Sequence, residues 1–493
     1  MPAHLRFRSP NSALFLVLFV CVLFTGTAFA APSITLTEKI GPPTSKILVS
    51  GSGFSANVCV DIYFDTKDEA LVVTDGKGEF HDAKIYALKS AYPGKHWVSA
   101  LERNGDKGDQ EPFVVFTDWP QYHFDAARTG SNPYENVLNK DNVSGLRLRW
   151  ASPSLKYPAI SNGLVYAGSL EGNGYLYAVN MATGATVWSY VFDSSTASGP
   201  AISGGNVYDG SIAAAGASFF AVNARNGSPI WASTCGQTYT SPALNENLVY
   251  VSSTSEIFAL DQATGSTIWS YTFPVFNFTS SPAVGQGKVF GLGGDEELYA
   301  FDASTGAIVW TFPSGDLSGK YSSPAVSNGV VYIGIGKTFY ALNADNGSVL
   351  WTYPTGGTDP AIANGIVYFG SGDFLYAVNA VTGAVLWQFQ ATGRITSPSF
   401  ANGVVYADSE NTTLYALDGH SGKLLWSHKT DCCAGFDIAP AIANGWLLTG
   451  GLQAFSLGSS TLDHEDNVLA PDLKGLHPDL ALSPSRQSTQ SVE

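Results

Sequence analysis

The chain has 493 residues, with 25 Lys and Arg against 41 Asp and Glu, a formal net charge of −16 and only 13% charged residues. That balance excludes a nucleic-acid binder, whose phosphate contacts need a basic surface. Two Met, 52 Gly and 13% aromatics exclude a coiled coil, a collagen, a long disordered chain and a multi-span membrane protein, and point instead to strands and turns.

Residues 1–30 read as a signal peptide. Arg6 and Arg8 give a positive start, residues 13–24 an apolar run, and Ala28-Phe29-Ala30 the small residues a signal peptidase recognises. The run is shorter than the roughly 20 apolar residues of a membrane span, and no later segment is long and apolar enough. The sequence therefore predicts no membrane span and a secreted, periplasmic or cell-surface location. Cys21 follows Val20, where a lipoprotein signal wants a small residue, so no lipid anchor is expected. The mature chain keeps Cys59, Cys235, Cys432 and Cys433. An oxidising compartment permits disulfides, but sequence does not choose among the three pairings.

Residues 31–117 carry seven short alternating runs: Ser33–Thr37, Lys46–Ser50, Val58–Phe64, Ala70–Thr74, Glu79–Ala87, His96–Leu101 and Phe113–Thr117. Gly- and Pro-rich turns separate them, which predicts a small β-sandwich. Val49-Ser50-Gly51-Ser52-Gly53-Phe54 and Pro93-Gly94-Lys95-His96-Trp97-Val98 resemble the bacterial IPT/TIG-type Ig-like domains. The resemblance implies a spacer or adhesion module. Cys59, between Val58 and Val60, reads as a buried thiol on a strand.

Residues 118–458 are one repeat array. Trp recurs at 188, 231, 269, 310, 351, 387 and 426, at intervals of about 40 residues, the length of a four-stranded propeller unit. Each stands four residues after a turn Gly. Pro158, Pro200, Pro242, Pro282, Pro324, Pro360, Pro398 and Pro440 open eight short strands, all but one continuing with Ala, and Asn-Gly pairs such as Asn328-Gly329 follow most of them. Asn-Gly between apolar runs signals a type I′ hairpin. Each unit is then four strands, a propeller blade. The unit opened by Pro440 lacks its fourth strand, and Leu146–Trp150 supplies one. Residues 146–150 should close the last blade and remove the open edge.

The pattern Ala-x-Asp/Asn-x-x-Thr/Asn-Gly-x-x-x-Trp resembles the tryptophan-docking motif of pyrroloquinoline quinone (PQQ)-type eight-bladed propellers. The lead-in Asp118-Trp119-Pro120-Gln121-Tyr122…Arg128-Thr129-Gly130 is similar to that of the same family. The resemblance implies an all-β, eight-bladed propeller, a fold shared by dehydrogenases and by non-catalytic scaffolds. Among the scaffolds is the propeller lipoprotein of the outer-membrane β-barrel assembly machine, which has no Ig-like domain and carries a lipid.

Ligands of propellers sit over the central channel, on loops that here precede the Pro-led strands. Lys320, Asp359, Arg394 and Asp437 lie on those loops and could converge on an anion or a metal; solvated loop charges are the alternative. Tyr239, Phe278 and Tyr321 are candidates for an exposed aromatic channel face. The pair Cys432-Cys433 precedes the last Pro-led strand. PQQ-dependent alcohol dehydrogenases carry an adjacent-Cys disulfide over the quinone, in an early blade rather than the last, so the resemblance places Cys432 and Cys433 among the channel-mouth candidates. A structural disulfide or unpaired thiols are the alternatives. Those enzymes also hold Ca²⁺ with a Glu and an Asn and use an Asp base, and no matching set stands out here. Residues 459–493 read as a flexible tail. The sequence thus predicts an exported monomer, a binding or scaffold module for a protein or polysaccharide partner, with a PQQ- and Ca²⁺-dependent dehydrogenase of alcohols or sugars as the alternative.

Overall fold

The computed structural model describes residues 31–152, 154–169, 174–192, 194, 198–212, 218–275, 280–315, 322–430, 438–449 and 451–458. Residues 1–30 and 459–493, expected from sequence to be a signal peptide and a tail, lie outside them. Among the described residues the fold is all-β, with a single short 3₁₀ turn at Val143–Gly145.

The N-terminal unit has eight strands: β1 (Ser33–Leu36), β2 (Ile40–Gly41), β3 (Lys46–Ser52), β4 (Cys59–Phe64), β5 (Lys67–Val73), β6 (Phe80–Tyr86), β7 (Gly94–Glu102) and β8 (Gly108–Val115). They form a three-stranded sheet, β1-β3-β6, and a five-stranded sheet, β2-β8-β7-β4-β5. Alternation along β3 and β6 turns Ile47, Val49, Phe80 and Ile85 inward, against Val60, Ile62, Val98 and Phe113 of the larger sheet. Cys59 is half-buried and carries a free thiol.

The remainder forms a β-propeller. Seven four-stranded sheets and one of five strands follow in chain order. Their innermost strands touch in succession from the first sheet to the eighth and back to the first. Two short segments before the first sheet join the ends of the ring. β9 (Ser131–Asn132) runs parallel to Ser399–Ala401 in the seventh sheet, and β10 (Arg147–Ala151) pairs antiparallel with Gln453–Ser456 in the eighth.

Three local devices recur from sheet to sheet. In five sheets the inner hairpin turns on Asn-Gly in the left-handed region, for example Asn328 at φ 49° and Gly329 at φ 79°, the φ > 0 pair a type I′ turn requires. The outer hairpin is held by an Asp or Asn carboxyl or amide oxygen. Asp302 Oδ1 accepts from the amides of Ser304 (3.1 Å) and Thr305 (2.9 Å), the local bond these side chains make in turns. The Gly that follows then receives the Trp of the preceding sheet: the indole of Trp269 lies over Gly306 and donates to the Ala303 carbonyl at 2.9 Å. The Tyr250 hydroxyl of the preceding sheet donates to the same carbonyl at 3.1 Å, so both of its lone pairs are used. Apolar residues fill the space between neighbouring sheets, as Leu292, Leu298 and Trp310 do against Val331, Ile333 and Leu342.

The pattern breaks at the junction of the seventh and eighth sheets. Trp426 stacks on His428 instead (5.8 Å, 9°), and the fully buried Tyr406 hydroxyl has no hydrogen-bond partner.

Two glycines separate backbone strain from close approach. Gly163 (φ 73°) and Gly306 (φ 71°) both sit in the left-handed region, but a Cβ at Gly163 meets nothing within 4 Å, whereas one at Gly306 would lie 2.6 Å from the Trp269 ring. Gly163→Ala should cost about 1 kcal/mol, and Gly306→Ala about 3 kcal/mol. Urea midpoints of the two variants check this; equal losses would mean the indole shifts aside freely.

Candidate functional site

In the second to eighth sheets the inner strand begins just past its Pro, which has no N–H to extend the ladder, whereas in the first sheet the strand Leu155–Ser161 runs through Pro158. A hydroxyl two residues earlier takes over the bond to the second strand. Ser280 Oγ accepts from Leu292 N (3.0 Å), Ser322 Oγ from Gly334 N (2.9 Å) and Thr358 Oγ1 from Gly370 N (2.9 Å).

The residue between hydroxyl and Pro faces its counterpart in the next sheet. Gly199 N donates to Ser241 Oγ (2.8 Å), Ser241 N to Ser281 Oγ (3.0 Å) and Ser281 N to Ser323 Oγ (3.3 Å). Ser323 N donates to Asp359 Oδ1 (2.5 Å), and Asp359 N to Ser397 Oγ (3.1 Å). A belt of hydrogen bonds thus runs across six consecutive sheets, with Asp359 as its one carboxylate. Tyr157 and Ala439 stand at the two remaining places.

Below the belt the chain fills its own channel. Two residues past each Pro, the innermost strand turns a backbone group inward, and the lead-in segment 119–132 meets every one. Trp119 pairs with Ile160. Ile202 N donates to the Pro120 carbonyl (2.8 Å), and Leu244 N to Gln121 Oε1 (3.0 Å). Val284, Val326, Ile362 and Phe400 donate to the carbonyls of Ala126, Ala127, Thr129 and Gly130 at 2.7 to 2.8 Å. Asn132 Nδ2 donates to the Ile442 carbonyl of the eighth sheet (2.8 Å). Unpaired inner edges are a liability that this segment covers. It bends round the ring through left-handed conformations at His123, Phe124, Arg128 and Gly130.

Arg128 is the centre of the segment. Its fully buried guanidinium donates to the carbonyls of Pro282 (2.7 Å), Tyr122 (3.0 Å) and Ser241 (2.5 Å), and lies 5.5 Å from the Tyr122 ring. Burial lowers its pKa to about 10, against which Tyr122, Asp359 and Asp125 act, so it stays charged at neutral pH. The Tyr122 hydroxyl reaches up to Asp359 Oδ2 (3.2 Å). Asp125 accepts from Thr129 N (2.9 Å) and Thr129 Oγ1 (2.8 Å); burial nevertheless raises its pKa.

His123 is fully buried, and the backbone of Pro360 is the one polar group that favours its charged form. Burial, reinforced by Arg128, takes its pKa from 6.5 down to about 3. The folded protein therefore binds fewer protons than the unfolded chain below about pH 6.5, and stability falls as pH drops through that range. The expected loss between about pH 8 and about pH 5 is about 2 kcal/mol from this residue. Urea midpoints of the wild type and His123→Gln at both pH values test this. The variant should lose that part of the pH slope; an unchanged slope would place the imidazole in contact with water.

The residues singled out from sequence are distributed as follows. Asp359 lies in the belt. Arg394 does not join it: its guanidinium pairs with Glu410 at 3.1 Å across the rim of the seventh sheet, with both side chains exposed. Tyr239 is half-buried. Lys320, Cys432, Cys433, Asp437, Phe278 and Tyr321 lie outside the described residues. Cys235 is a buried free thiol, and burial pushes its pKa up to about 12. Among the described residues no three His, Cys, Asp or Glu side chains converge on one point. Ca²⁺ takes six to eight oxygens, whereas the one belt carboxylate is already committed to Ser323 N and the Tyr122 hydroxyl. The described residues therefore do not fit a PQQ–Ca²⁺ donor set. Of the belt positions only Asp359 is singled out by the sequence; its serine neighbours in the ring and Arg128 are not, although Thr240-Ser241-Pro242 and Ser322-Ser323-Pro324 stand openly in the sequence.

Residues 136–232, 156–271, 253–362 and 354–445 each match the PQQ-type repeat family described as outer membrane protein assembly factor BamB. The chain belongs to this family. No curated protein matches this PQQ-repeat chain. Solved structures that resemble it include BamB from Moraxella catarrhalis, 20% identical over 60% of this chain and 95% of that one, with a TM-score of 0.52. Quinohemoprotein alcohol dehydrogenase from Comamonas testosteroni is 15% identical, over 69% and 77% of the two chains, with a TM-score of 0.57. A europium-containing methanol dehydrogenase is 15% identical, over 74% and 94%, with a TM-score of 0.53. At these identities the PQQ-repeat protein shares a fold with both kinds of neighbour.

Proposed function

We propose that this PQQ-repeat protein is an exported, non-catalytic binding module: an eight-bladed propeller, carried behind an Ig-like spacer, that holds a protein or glycan ligand. The observation that carries this reading is the commitment of Arg128 and Asp359, the charged channel groups among the described residues, to the chain itself. Arg128, the group best suited to an anionic cofactor, spends its donors on three backbone carbonyls, and Asp359 spends both carboxylate oxygens within the fold. Membership of the BamB-described family supports a protein partner. The test is calorimetric titration of the purified protein with PQQ in Ca²⁺ buffer, followed by a dye-linked alcohol and sugar oxidation assay on the same sample. The expected result is no turnover. Saturable PQQ binding with turnover would overturn the reading in favour of a quinoprotein dehydrogenase.

A further inference from the structure

Asparagine is a thermolabile residue, most of all before glycine, whose nitrogen no Cβ shields. The glycine N attacks the asparagine Cγ and closes a five-membered imide. The Cγ–Nδ2 bond breaks, and that nitrogen leaves as ammonia with the proton of the glycine N–H. Water then opens the ring at either carbonyl, leaving an aspartyl or an isoaspartyl residue. The chain holds nine Asn-Gly pairs. Eight are described; Asn173 lies outside the described residues. We propose that Asn364-Gly365, on the inner turn of the sixth sheet, is a site of spontaneous deamidation, the first of the described pairs to react. The proposal does not depend on the binding-module reading.

The other seven pairs are held by bonds that must break first. Four spend the glycine amide, which is the nucleophile. Gly105 N donates to the Glu102 carbonyl (3.2 Å), Gly227 N to Asn223 (2.8 Å) and Gly347 N to Asn343 (2.8 Å). Gly445 N donates to Glu135 Oε2 (3.1 Å), and the buried Asn444 also accepts from Thr117 N (2.6 Å). The other three tether the asparagine amide. Asn402 Nδ2 donates to the Leu138 carbonyl (2.9 Å), Asn162 Nδ2 to Ser161 Oγ (3.1 Å) and Asn328 Nδ2 to Ser327 Oγ (3.3 Å). Asn364 is exposed, and among the described residues neither its side chain nor the Gly365 amide makes a hydrogen bond. Space is open as well: a Cβ at Gly365 would meet nothing within 4 Å, whereas one at Gly445 would lie 2.8 Å from Val137 Cγ1.

Backbone conformation does not separate the inner turns. Asn364 (φ 53°) and Gly365 (φ 76°) share the left-handed pair with Asn402 (φ 44°) and Gly403 (φ 86°). Each turn must swing out of that conformation before nitrogen reaches Cγ, so the turn with the least anchored side chain opens most often. The product changes the surface it sits on. Asn364 lines the cleft between the N-terminal unit and the propeller, as Lys89 does. An aspartyl product adds a negative charge there. An isoaspartyl product lengthens the backbone of a tight turn whose flanks, Ala363 and Ile366, are paired.

Ageing the full chain at mildly alkaline pH, followed by peptide mapping with mass spectrometry, tests the proposal. Acid and isoaspartate should appear first in the peptide that holds Asn364, at least about fivefold faster than at Asn402, the factor one retained hydrogen bond supplies. Ageing in guanidinium chloride, where the pairs keep their local sequence and lose the fold, should bring the rates together. Asn364→Gln, which can close only a less favoured six-membered ring, should remove the fast site and leave the other peptides unchanged. Another described pair reacting first, or the native order surviving in denaturant, would overturn the proposal.

Discussion

Replacing Arg128 with Met should lower the stability of the propeller by at least about 3 kcal/mol. The side chain it removes is fully buried and donates to three carbonyls, those of Pro282 and Ser241 in the wall and Tyr122 in the lead-in segment. Each buried acceptor left without a donor costs about 1–3 kcal/mol. Met restores the volume and none of the hydrogen bonds. Arg128→Lys should recover part of the loss, because an ammonium cannot span three acceptors held in a fan. The measurement is the urea midpoint of the propeller transition for both variants. A loss below about 1 kcal/mol for Arg128→Met would show that water reaches those carbonyls.

The second large effect is expected at Glu135. Its Oε1 receives the amides of Val137 and Leu138, and its Oε2 receives Gly445 N and the Thr117 hydroxyl. One carboxylate thus fastens the end of the N-terminal unit, the start of the propeller and the inner turn of the eighth sheet. Asn444 reinforces the same joint: its Oδ1 accepts from Thr117 N (2.6 Å), and its N–H donates to Thr117 Oγ1 (2.7 Å). Glu135→Ala should cost about 3–5 kcal/mol, since it strands several buried donors at once. Glu135→Gln keeps one acceptor oxygen and turns an NH₂ toward two donors, so it should lose about half as much. Hydrogen exchange should speed up first over residues 441–456. Uniform acceleration across all sheets would mean that Glu135 is not specific to the closing junction.

How much of this was legible in the sequence depends on the range of the interactions. The Trp-to-Gly contact, the Asn-Gly turn and the Pro-led strand recur at a fixed spacing, and each has a local cause, so composition and period reveal them. The strand boundaries of the N-terminal unit moved by a few residues; β5 begins at Lys67, ahead of the apolar run that marked it at Ala70. The course of residues 119–132 was not legible. The segment has no period, and its partners lie as far away as Ile442. Nothing local in Gln121 or Arg128 says that one reaches the third sheet and the other bridges to the fourth. Arg394 shows the converse: as a loop charge it looked free to join Asp359, but the hairpin of its own sheet brings Glu410 within 3.1 Å.

The central claim is that the lead-in segment is built into the ring and occupies one end of its channel. Native-state hydrogen exchange tests it most directly at the amides of Ile202, Val284, Val326, Ile362 and Phe400, which donate to carbonyls of that segment. The account predicts that these five amides exchange slowly and at a common rate in the wild type, through opening of the whole propeller, and become faster together in Arg128→Met. Fast exchange at these amides in the wild type, or rates unrelated from sheet to sheet, would contradict it and leave the channel open to a ligand from outside.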